Sequence, residues 1–193
     1  MGKRIVIIDG HPDASPERFC HALARAYAEA ATAGGHEVRH LALAGMDIPF
    51  LRSAKDWSEG TPTPAIRAAQ EAIGWAEHIL IVYPLWLGAM PALLKAFFEQ
   101  VFRVGFAVAR GKPSLSSGLL TGKSARVVVT MGMPAWIYRW FFRAHSLKSL
   151  ERNILKFVGI GPIRETLIGN IEASAEKRRT WLETMQALGR AGR

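Results

Sequence analysis

Apolar runs rich in β-branched residues alternate along the chain with segments that have helical periodicity. The five apolar runs span residues 3–9, 36–43, 78–84, 125–131 and 163–168. The helical segments follow them, at residues 15–33, from 63 onward, 92–102, 135–158 and 174–188. Continuous hydrophobic strands that alternate with helices are typical of a parallel sheet covered on both faces. The pattern therefore predicts a three-layer α/β domain with a five-stranded parallel sheet.

Length and cysteine content narrow the class of protein further. The chain has 193 residues, 49% of them hydrophobic, which is enough for one core, so we expect a single domain over residues 1–193. Cys20 is the only cysteine, so no intramolecular disulfide can form, and we expect a cytoplasmic protein. Apolar stretches are shorter than the roughly 20 residues that span a bilayer, and residues 1–4 do not resemble a secretory signal.

The formal net charge of +9 is unevenly distributed. Residues 1–122 hold 12 basic and 11 acidic side chains, whereas residues 123–193 hold 13 and 5. A cationic half would attract a phosphate-bearing cofactor, nucleic acid or an acidic membrane surface, although solubility alone explains scattered surface charge equally well. No nucleic-acid motif accompanies the charge, so we expect no such partner. His36 and His40 have no third ligand nearby in sequence, so we expect no metal.

The loop after the first apolar run, residues 9–20, carries neither of the common glycine-rich nucleotide motifs. Ser15 followed by Pro16 is typical of a helix start, with the serine as its cap. The free amides of a helix start, with Arg18 nearby, would suit a phosphate group. Ordinary capping without a ligand is the alternative, and His11 is either a phosphate donor or a buried core histidine.

Two further loops also follow apolar runs and combine glycine and proline with aromatic residues. Residues 83–91 read Y-P-L-W-L-G-A-M-P, and residues 130–138 read T-M-G-M-P-A-W-I-Y. In open α/β sheets, ligands bind at the carboxyl ends of the strands. A hydrophobic elbow between strand and helix would explain either loop alone. Three such loops at one edge predict a site for a flat aromatic ligand.

Five short motifs carry a resemblance to a known family. They read H-P at 11–12, F-C-H-A-L at 19–23, Y-P-L-W at 83–86, M-P-A-L-L-K at 90–95 and F-E-Q-V-F-R at 98–103. Together they resemble the NAD(P)H:quinone reductases, the DT-diaphorase-like flavoproteins, over residues 3–171. The resemblance implies a flavodoxin-like three-layer sandwich with a five-stranded parallel sheet in the order 2-1-3-4-5. This agrees with the five strand–helix units, which are fewer than in the six-stranded dinucleotide fold.

The same resemblance implies a flavin, either FMN or FAD, and places it residue by residue. The residues that match the flavin-phosphate loop are His11, Ser15, Arg18, Phe19 and Cys20. Those that match the stretch beside the isoalloxazine ring are Pro84, Leu85, Trp86 and Leu87. Those that match the loop hydrogen-bonded to the pyrimidine side are Thr130, Met131, Gly132 and Met133. Tyr138 matches a tyrosine near the acceptor, and His145 is an approximate counterpart of a family histidine, so both are the expected catalytic residues.

The implied activity is a two-electron ping-pong reduction of quinones or similar flat electrophiles, with NAD(P)H as co-substrate. Such chemistry belongs mainly to the cofactor, and amides of residues 130–133 would stabilise negative charge on the ring. A homodimer is also implied. The alternative is an ancillary regulatory subunit of a membrane transporter built on the same fold. An acidic single-electron carrier fits this basic chain less well.

Residues 136–142 hold five aromatic side chains in seven positions, with arginines at 139 and 143. Three interpretations remain open for this segment. It could form a wall of the active-site slot, a dimer contact, or a helix at a membrane surface that gives access to lipid quinones. The resemblance favours the first two, so peripheral membrane contact is the least favoured of the three.

Overall fold

A computed structural model describes residues 2–111, 118–172 and 174–193 of the chain. In that part, one sheet has five strands, all parallel, in the order β2-β1-β3-β4-β5. The strands are β1 (Arg4–Asp9), β2 (Glu37–Ala42), β3 (His78–Pro84), β4 (Ser124–Thr130) and β5 (Ile163–Ile168). Both the fold class and the strand order expected from the sequence are confirmed.

Helices cover both faces of the sheet. They are α1 (Phe19–Ala33), α2 (Ala54–Glu59), α3 (Pro64–Trp75), α4 (Ala92–Val101), α5 (His145–Ser149) and α6 (Ala175–Arg190). Buried side chains of α1 and α6 form one hydrophobic layer with the sheet, and those of α3, α4 and α5 form the other. The α5 helix lies between two π-helical segments, Ile137–Phe141 and Leu150–Leu155.

Burial explains the sequence pattern of the strands. All seven residues of the central strand β3 are buried, whereas no residue of the edge strand β2 is fully buried. A strand covered on both faces can be apolar throughout, because both of its sides meet helices. The same arrangement places the carboxyl ends of β1, β3 and β4 side by side at one edge of the sheet.

The first helix begins later than the sequence suggests. The predicted cap at Ser15 is wrong, because α1 begins at Phe19 with Arg18 in the cap position and no side-chain cap. Asp13 provides the reason. Its carboxylate accepts hydrogen bonds from the Ser15 amide at 2.8 Å and from Arg18 Nε at 2.7 Å, which holds this stretch in a turn ahead of the helix.

The segment predicted as one irregular helix over residues 135–158 is interrupted in the middle. Arg143 and Ala144 have φ angles of 53° and 48°, in the left-handed region that L-residues seldom adopt. The chain therefore changes direction before α5 begins. This turn brings Ser146 against Tyr138, with 2.7 Å between the two hydroxyl oxygens.

Of the two long connections predicted from the sequence, the first contains the short helix α2. Buried Arg103 donates to the carbonyl oxygens of Asp56 and Gly60, and Trp57 Nε1 donates to the Phe102 carbonyl at 3.0 Å. These bonds fix α2 beside the end of α4. The second connection includes residues 112–117, which lie outside the described residues. None of the helices in the described ranges is long and apolar enough to cross a membrane.

Candidate active site

The three predicted loops meet at the carboxyl edge of the sheet. The Leu85 amide donates to the Thr130 carbonyl at 2.8 Å, which joins the second loop to the third. Cys20 Sγ lies 3.2 Å from Thr130 Oγ1, which joins the start of α1 to the end of β4. The topology alone brings these elements together, because parallel strands end at the same edge.

The first loop and the start of α1 border a cavity of about 440 Å³. Seven residues predicted from the sequence line it, namely His11, Arg18, Phe19, Cys20, Pro84, Trp86 and Thr130. The sequence did not point to the other lining residues, which are Asp13, Glu17, Ile171, Glu172 and Arg178. Ser15 does not line this cavity. Its volume lies within the range of small-molecule and cofactor sites, about 300–1,000 Å³.

Backbone amides at the start of α1 face this cavity. Among the described residues, the Phe19 and Cys20 amides have no hydrogen-bond acceptor. The first amides of any helix lack partners within the helix and carry partial positive charge. Arg18 stands beside them, ion-paired with Asp13 at 2.6 Å. These free amides lie at Phe19 and Cys20, where α1 begins, and not at the predicted Ser15.

His11 both is buried and lines the cavity, so the two interpretations of this residue are compatible. His11 Nδ1 lies 3.1 Å from the Asp13 amide nitrogen and 3.2 Å from the Asp13 carbonyl oxygen, so whether Nδ1 accepts or donates depends on the tautomer of the ring. Burial, and then the neighbouring His21, lower the pKa of His11. At neutral pH, His11 is therefore an uncharged imidazole, with one ring nitrogen as donor and the other as acceptor. Its ring makes an edge contact with Trp86, with 5.7 Å between the ring centroids.

A buried pair of charged groups supports the first loop from below. Asp9 is 1% exposed, and one of its carboxylate oxygens lies 2.5 Å from His21 Nδ1. His21 Nε2 lies 2.8 Å from the Asp13 carbonyl oxygen, which can only accept a hydrogen bond. An imidazolium paired with a carboxylate satisfies both contacts. The pair ties β1, α1 and Asp13 together, and the sequence analysis missed it because the two residues lie on different elements.

The second loop makes a tight turn at its tip. Trp86 and Ala89 exchange two backbone hydrogen bonds of 2.9 Å, and the residues between them, Leu87 and Gly88, have φ angles of 47° and 77°. Positive φ at both central positions is typical of a type I′ turn, for which Asn-Gly is preferred. Leu87 adopts this conformation with its side chain fully exposed. The turn places Trp86 on the first cavity and Leu87 on a second one.

Replacing Leu87 by asparagine is expected to raise the free energy of unfolding by about 1 kcal/mol, because a left-handed L-residue costs roughly that much and asparagine tolerates the conformation better. Urea unfolding measures the change. Leu119, also an exposed leucine but without a positive φ, is the matched control. An equal effect of Leu119→Asn would show that the turn conformation is not the cause. The same Leu87 variant should weaken turnover of an apolar acceptor.

The second cavity, of about 270 Å³, lies beside this turn. Four predicted residues line it, namely Leu85, Leu87, Met133 and Tyr138, and His145 is a fifth. The remaining lining residues are Gly88, Phe142 and Ser146. Both expected catalytic residues, Tyr138 and His145, thus border one apolar cavity.

The hydroxyl of Tyr138 already has two partners. Tyr138 is 2% exposed, and its Oη accepts from the Leu147 amide at 3.2 Å. The same oxygen lies 2.7 Å from Ser146 Oγ. Ser146, which the sequence analysis did not consider, lines the cavity itself. A hydrogen bond from Tyr138 to Ser146 would leave the serine hydroxyl hydrogen available to a molecule in the cavity.

The third loop supplies fewer free amides than expected. The Met131 amide donates to the Ile168 carbonyl at 2.8 Å, and Met131 is buried in the core, so this residue does not reach either cavity. Gly132 does not line either one. In the described part of the chain, however, the Gly132 and Met133 amides have no acceptor. Of the predicted loop, Thr130 and Met133 border the cavities, on opposite sides of the turn.

Cys20 is not a reactive thiol despite its position. It is buried, and burial raises the pKa of its thiol to about 12. The thiolate is the nucleophilic form of cysteine. Cys20 therefore contributes shape and its backbone amide to the cavity. No group of three or more acidic, histidine or cysteine side chains in the described ranges could hold a metal ion.

The chain is similar in sequence or structure to several proteins that are named as oxidoreductases or dehydrogenases. The chain is 29% identical, over 67% of its length, to a ribosyldihydronicotinamide dehydrogenase-like protein of Penicillium crustosum, and spans 57% of that relative. It is also 29% identical to an uncharacterized NAD(P)H oxidoreductase of Haemophilus influenzae, over 90% of this chain and 87% of that one. The solved NAD(P)H:quinone oxidoreductase of Methanothermobacter marburgensis has the same fold, with a TM-score of 0.79 at 22% identity, covering 98% and 96% of the two chains.

A family model places the chain without reference to any single relative. The model for the flavodoxin-like fold matches residues 3–188, nearly the whole length. The parallel sheet in the order 2-1-3-4-5 agrees with that match. Nothing in these comparisons supports the transporter-subunit alternative. The chain belongs to the flavodoxin-like fold family.

Proposed function

We propose that this protein is an NAD(P)H-dependent flavin oxidoreductase that reduces quinones or similar flat electrophiles by two electrons. The observation that carries the proposal is the pair of cavities on either side of the Trp86–Ala89 turn. One is polar at its helix end, and the other is lined mainly by apolar side chains. A phosphate-bearing cofactor and a flat acceptor would thus meet at a single loop. The names of the relatives support the same class of reaction.

The residues of the first cavity fit the phosphate end of a flavin. Among the described residues, the Phe19 and Cys20 amides are without acceptors, and an uncharged His11 lines the same cavity. Arg18 adds a full positive charge, which compensates Asp13. The exposed Glu17 and Glu172 also line the cavity and oppose an anion there. The Phe19 and Cys20 amides are therefore the main groups for binding a phosphate at this end of the cavity, because α1 fixes their direction.

A flavin bound here would accept a hydride from a nicotinamide and pass two electrons to the acceptor. The chain would hold the ring between Trp86 and the third loop. The Met133 amide, which has no acceptor among the described residues, would donate a hydrogen bond to the part of the ring that gains negative charge. Leu85, Leu87 and Phe142 would exclude water from the adjoining cavity. FMN and FAD both satisfy these contacts.

A proton for the acceptor can come from the second cavity. Ser146 faces that cavity and shares a hydrogen bond with Tyr138, so the pair can supply a proton through the serine hydroxyl. His145 borders the same cavity and is exposed to solvent, which would allow it to return a proton from solvent to this pair. We propose Tyr138 and Ser146 as the donor pair and His145 as a further candidate.

A homodimer is part of the proposal. Trp136, Trp140 and Phe141 are 65%, 75% and 78% exposed, close in sequence to the Phe142 side of the second cavity. Exposed apolar patches of this kind mark interaction surfaces. A second copy of the chain would cover these side chains and complete the wall of the cavity. Light scattering on the purified protein measures the mass, and a monomer at all concentrations would contradict this part of the proposal. A membrane surface is the less favoured partner.

The activity is tested by steady-state kinetics with NADH or NADPH and menadione after loading with FMN or FAD. Nucleotide oxidation that depends on both flavin and menadione, with parallel double-reciprocal lines, is the expected result. Parallel lines indicate that the two substrates occupy the site in turn. A flavin-loaded protein that oxidises neither nucleotide in the presence of menadione would contradict the proposed function.

Replacing Arg18 by alanine is expected to weaken flavin affinity by about tenfold or more, because a charge-assisted hydrogen bond contributes roughly 1.5–3 kcal/mol. Fluorescence titration of flavin-free protein measures the dissociation constant. Arg25→Ala is the matched control, because Arg25 is an exposed arginine on the same helix and does not line the cavity. Equal affinities for the two variants would remove Arg18 from the site.

A further inference from the structure

A second, smaller cavity of polar character lies at the opposite edge of the sheet. Its volume is about 190 Å³, and it is lined by residues at the amino ends of the strands, among them Lys3, His78, Ser124 and Arg164. Strands rise about 3.3 Å per residue. The seven residues of β3 therefore separate this cavity from the candidate active site by about 20 Å. Nothing in the proposed oxidoreductase function uses it.

The cavity is surrounded by positive charge. Lys3, Arg164 and Arg193 line it, and within the described ranges no carboxylate side chain does. Arg126 adds a further charge, because it follows Ser124 by two residues on β4 and so lies on the same face. It stands directly across from Arg164 in the strand register. Like charges at paired positions are unfavourable unless something compensates them.

The acidic residue that immediately precedes β3 is paired with another side chain. Glu77 precedes β3, and its carboxylate pairs with Arg4 Nε at 3.5 Å and accepts from the Arg4 amide at 3.0 Å. Lys3 Nζ donates to the Gly192 carbonyl at 2.8 Å, which holds this ammonium group at the cavity wall. No side chain of the described residues thus neutralises the pair of arginines from within the cavity.

Two buried side chains present unused hydrogen-bonding atoms in this region. His78 is 3% exposed, and within the described part of the chain its Nε2 has no partner, while Nδ1 lies 2.8 Å from Ser124 Oγ. Arg126 is 7% exposed, and its Nε is likewise without a partner, although its terminal nitrogen donates to Thr166. Buried polar atoms almost always have a partner, such as an ordered water or a bound group, so His78 and Arg126 leave hydrogen-bonding capacity unused near this cavity.

The pKa of His78 agrees with a binding site for an anion in this cavity. Burial, followed by Lys3, Arg126 and Arg164, lowers the pKa of His78 to about 4. All of the causes lower it, and no acidic residue acts in the opposite direction. A histidine surrounded only by cations and low polarity is neutral at pH 7. A bound anion would oppose the effect of these cations and raise the pKa of His78.

We propose that this cavity at the amino edge of the sheet binds a small tetrahedral oxyanion, either free phosphate or the phosphate group of a small monoester. Arg164, Arg193 and Lys3 supply the charge, and the buried side chain of His78 forms part of the cavity wall. The volume accommodates one phosphate group, whereas the candidate cofactor cavity is more than twice as large. A guanidinium pair suits such an anion because each can donate two parallel hydrogen bonds.

The experiment is calorimetric titration with phosphate and with glycerol phosphate at constant ionic strength. The protein is first saturated with FMN so that the candidate cofactor cavity is occupied. We expect one saturable phosphate-binding site per chain. Chloride at the same concentration should not displace the phosphate. If glycerol phosphate binds as tightly as phosphate, the site is open to solvent and accepts a monoester. If glycerol phosphate binds more weakly, the ligand is the free phosphate ion. Absence of saturable binding of either compound would overturn the proposal.

Variants locate the site. Arg164→Gln is expected to weaken phosphate binding by at least tenfold, and Arg193→Gln, at the exposed end of the chain, provides a second test if the first variant does not fold. Arg179→Gln is the matched control, since Arg179 is an exposed arginine of α6 paired with Glu183 and does not line the cavity. Binding that is equal in all three variants would overturn the proposed location.

A spectroscopic signal separates this site from the cofactor cavity. In ¹⁵N-labelled protein, phosphate should move the imidazole resonances of His78 and raise its pKa by at least one unit, while those of His11 stay unchanged. The measurement can be repeated on Arg18→Ala protein without flavin, so a failure of the oxidoreductase proposal would leave it intact. A response of His11 in place of His78 would assign the anion to the cofactor cavity and overturn the inference.

Discussion

Replacing Asp9 by asparagine is expected to lower the free energy of unfolding by about 3 kcal/mol or more, because removing one partner of a buried ion pair leaves the other charge uncompensated. Asp9 is 1% exposed and contacts His21 at 2.5 Å. It also accepts from the His11 amide at 3.3 Å, so the loop that borders the first cavity depends on it twice. Urea unfolding measures the loss, with a constant m-value as the sign of a change in stability alone.

Two further variants show whether the lost pairing is the cause. Asp47→Asn makes the same chemical change at an exposed position and should leave stability within about 0.5 kcal/mol of the original. Adding His21→Gln to Asp9→Asn removes both charges, and the double variant should recover part of the loss because a neutral pair carries no uncompensated charge. A double variant less stable than Asp9→Asn alone would contradict the ion-pair explanation.

Replacing Gly169 by alanine is expected to destabilise the protein by about 2–3 kcal/mol and to disturb the third loop, because an added Cβ meets backbone atoms and not flexible side chains. That Cβ would lie 2.3 Å from the Ala135 amide nitrogen and 2.6 Å from the Met133 carbonyl oxygen. The loop would have to move away from β5. Because Met133 lines the second cavity, turnover of the acceptor should fall together with stability.

Gly132 provides the matched control for Gly169. It lies in the same loop, but an added Cβ there would have no atom within 4 Å and the backbone has no positive φ. Gly132→Ala should therefore keep the original free energy of unfolding within about 0.5 kcal/mol. If Gly169→Ala were equally harmless, the close packing of β5 against the third loop would be wrong.

The sheet could be predicted because its strands are short apolar runs, and the central strands β1, β3 and β4 are almost entirely buried. For β3 and β5 the predicted and observed limits agree, at residues 78–84 and 163–168. The start of α1 could not be predicted in the same way. Ser15 and Pro16 form a favourable local signal for a helix start, but the Asp13 carboxylate engages both the Ser15 amide and Arg18. A side-chain contact of this kind competes with the local propensity and is not visible as a pattern.

The residues of the candidate site were predicted or missed for similar reasons. Residues close to the strand ends, such as Pro84, Trp86 and Thr130, were predicted because strand topology determines their position. The Asp9–His21 pair was missed because it joins a strand end to the inner side of a helix, which requires the packing of α1 against β1. Ser146 was missed because the left-handed turn at Arg143 and Ala144 interrupts a segment predicted as one helix.

Positive charge in the carboxyl-terminal half of the chain is not concentrated at the candidate active site. Arg178 is the only basic residue from residues 123–193 among those described around the first cavity. Arg164 and Arg193 instead lie at the opposite edge of the sheet. The net charge of that half therefore points to anions but not to a location in the fold. Location came from the strand register, which composition does not contain.

The central claim is that the cavity at the start of α1 holds a flavin whose ring lies against the Trp86 turn. Its most direct test is a fluorescence titration of flavin-free, folded protein with FMN and with FAD, followed by mass analysis of what stays bound. Saturable binding of one flavin per chain, weakened in Arg18→Ala and unchanged in Arg25→Ala, is the expected result. Folded protein that leaves the fluorescence of both flavins unchanged at every concentration would contradict the account.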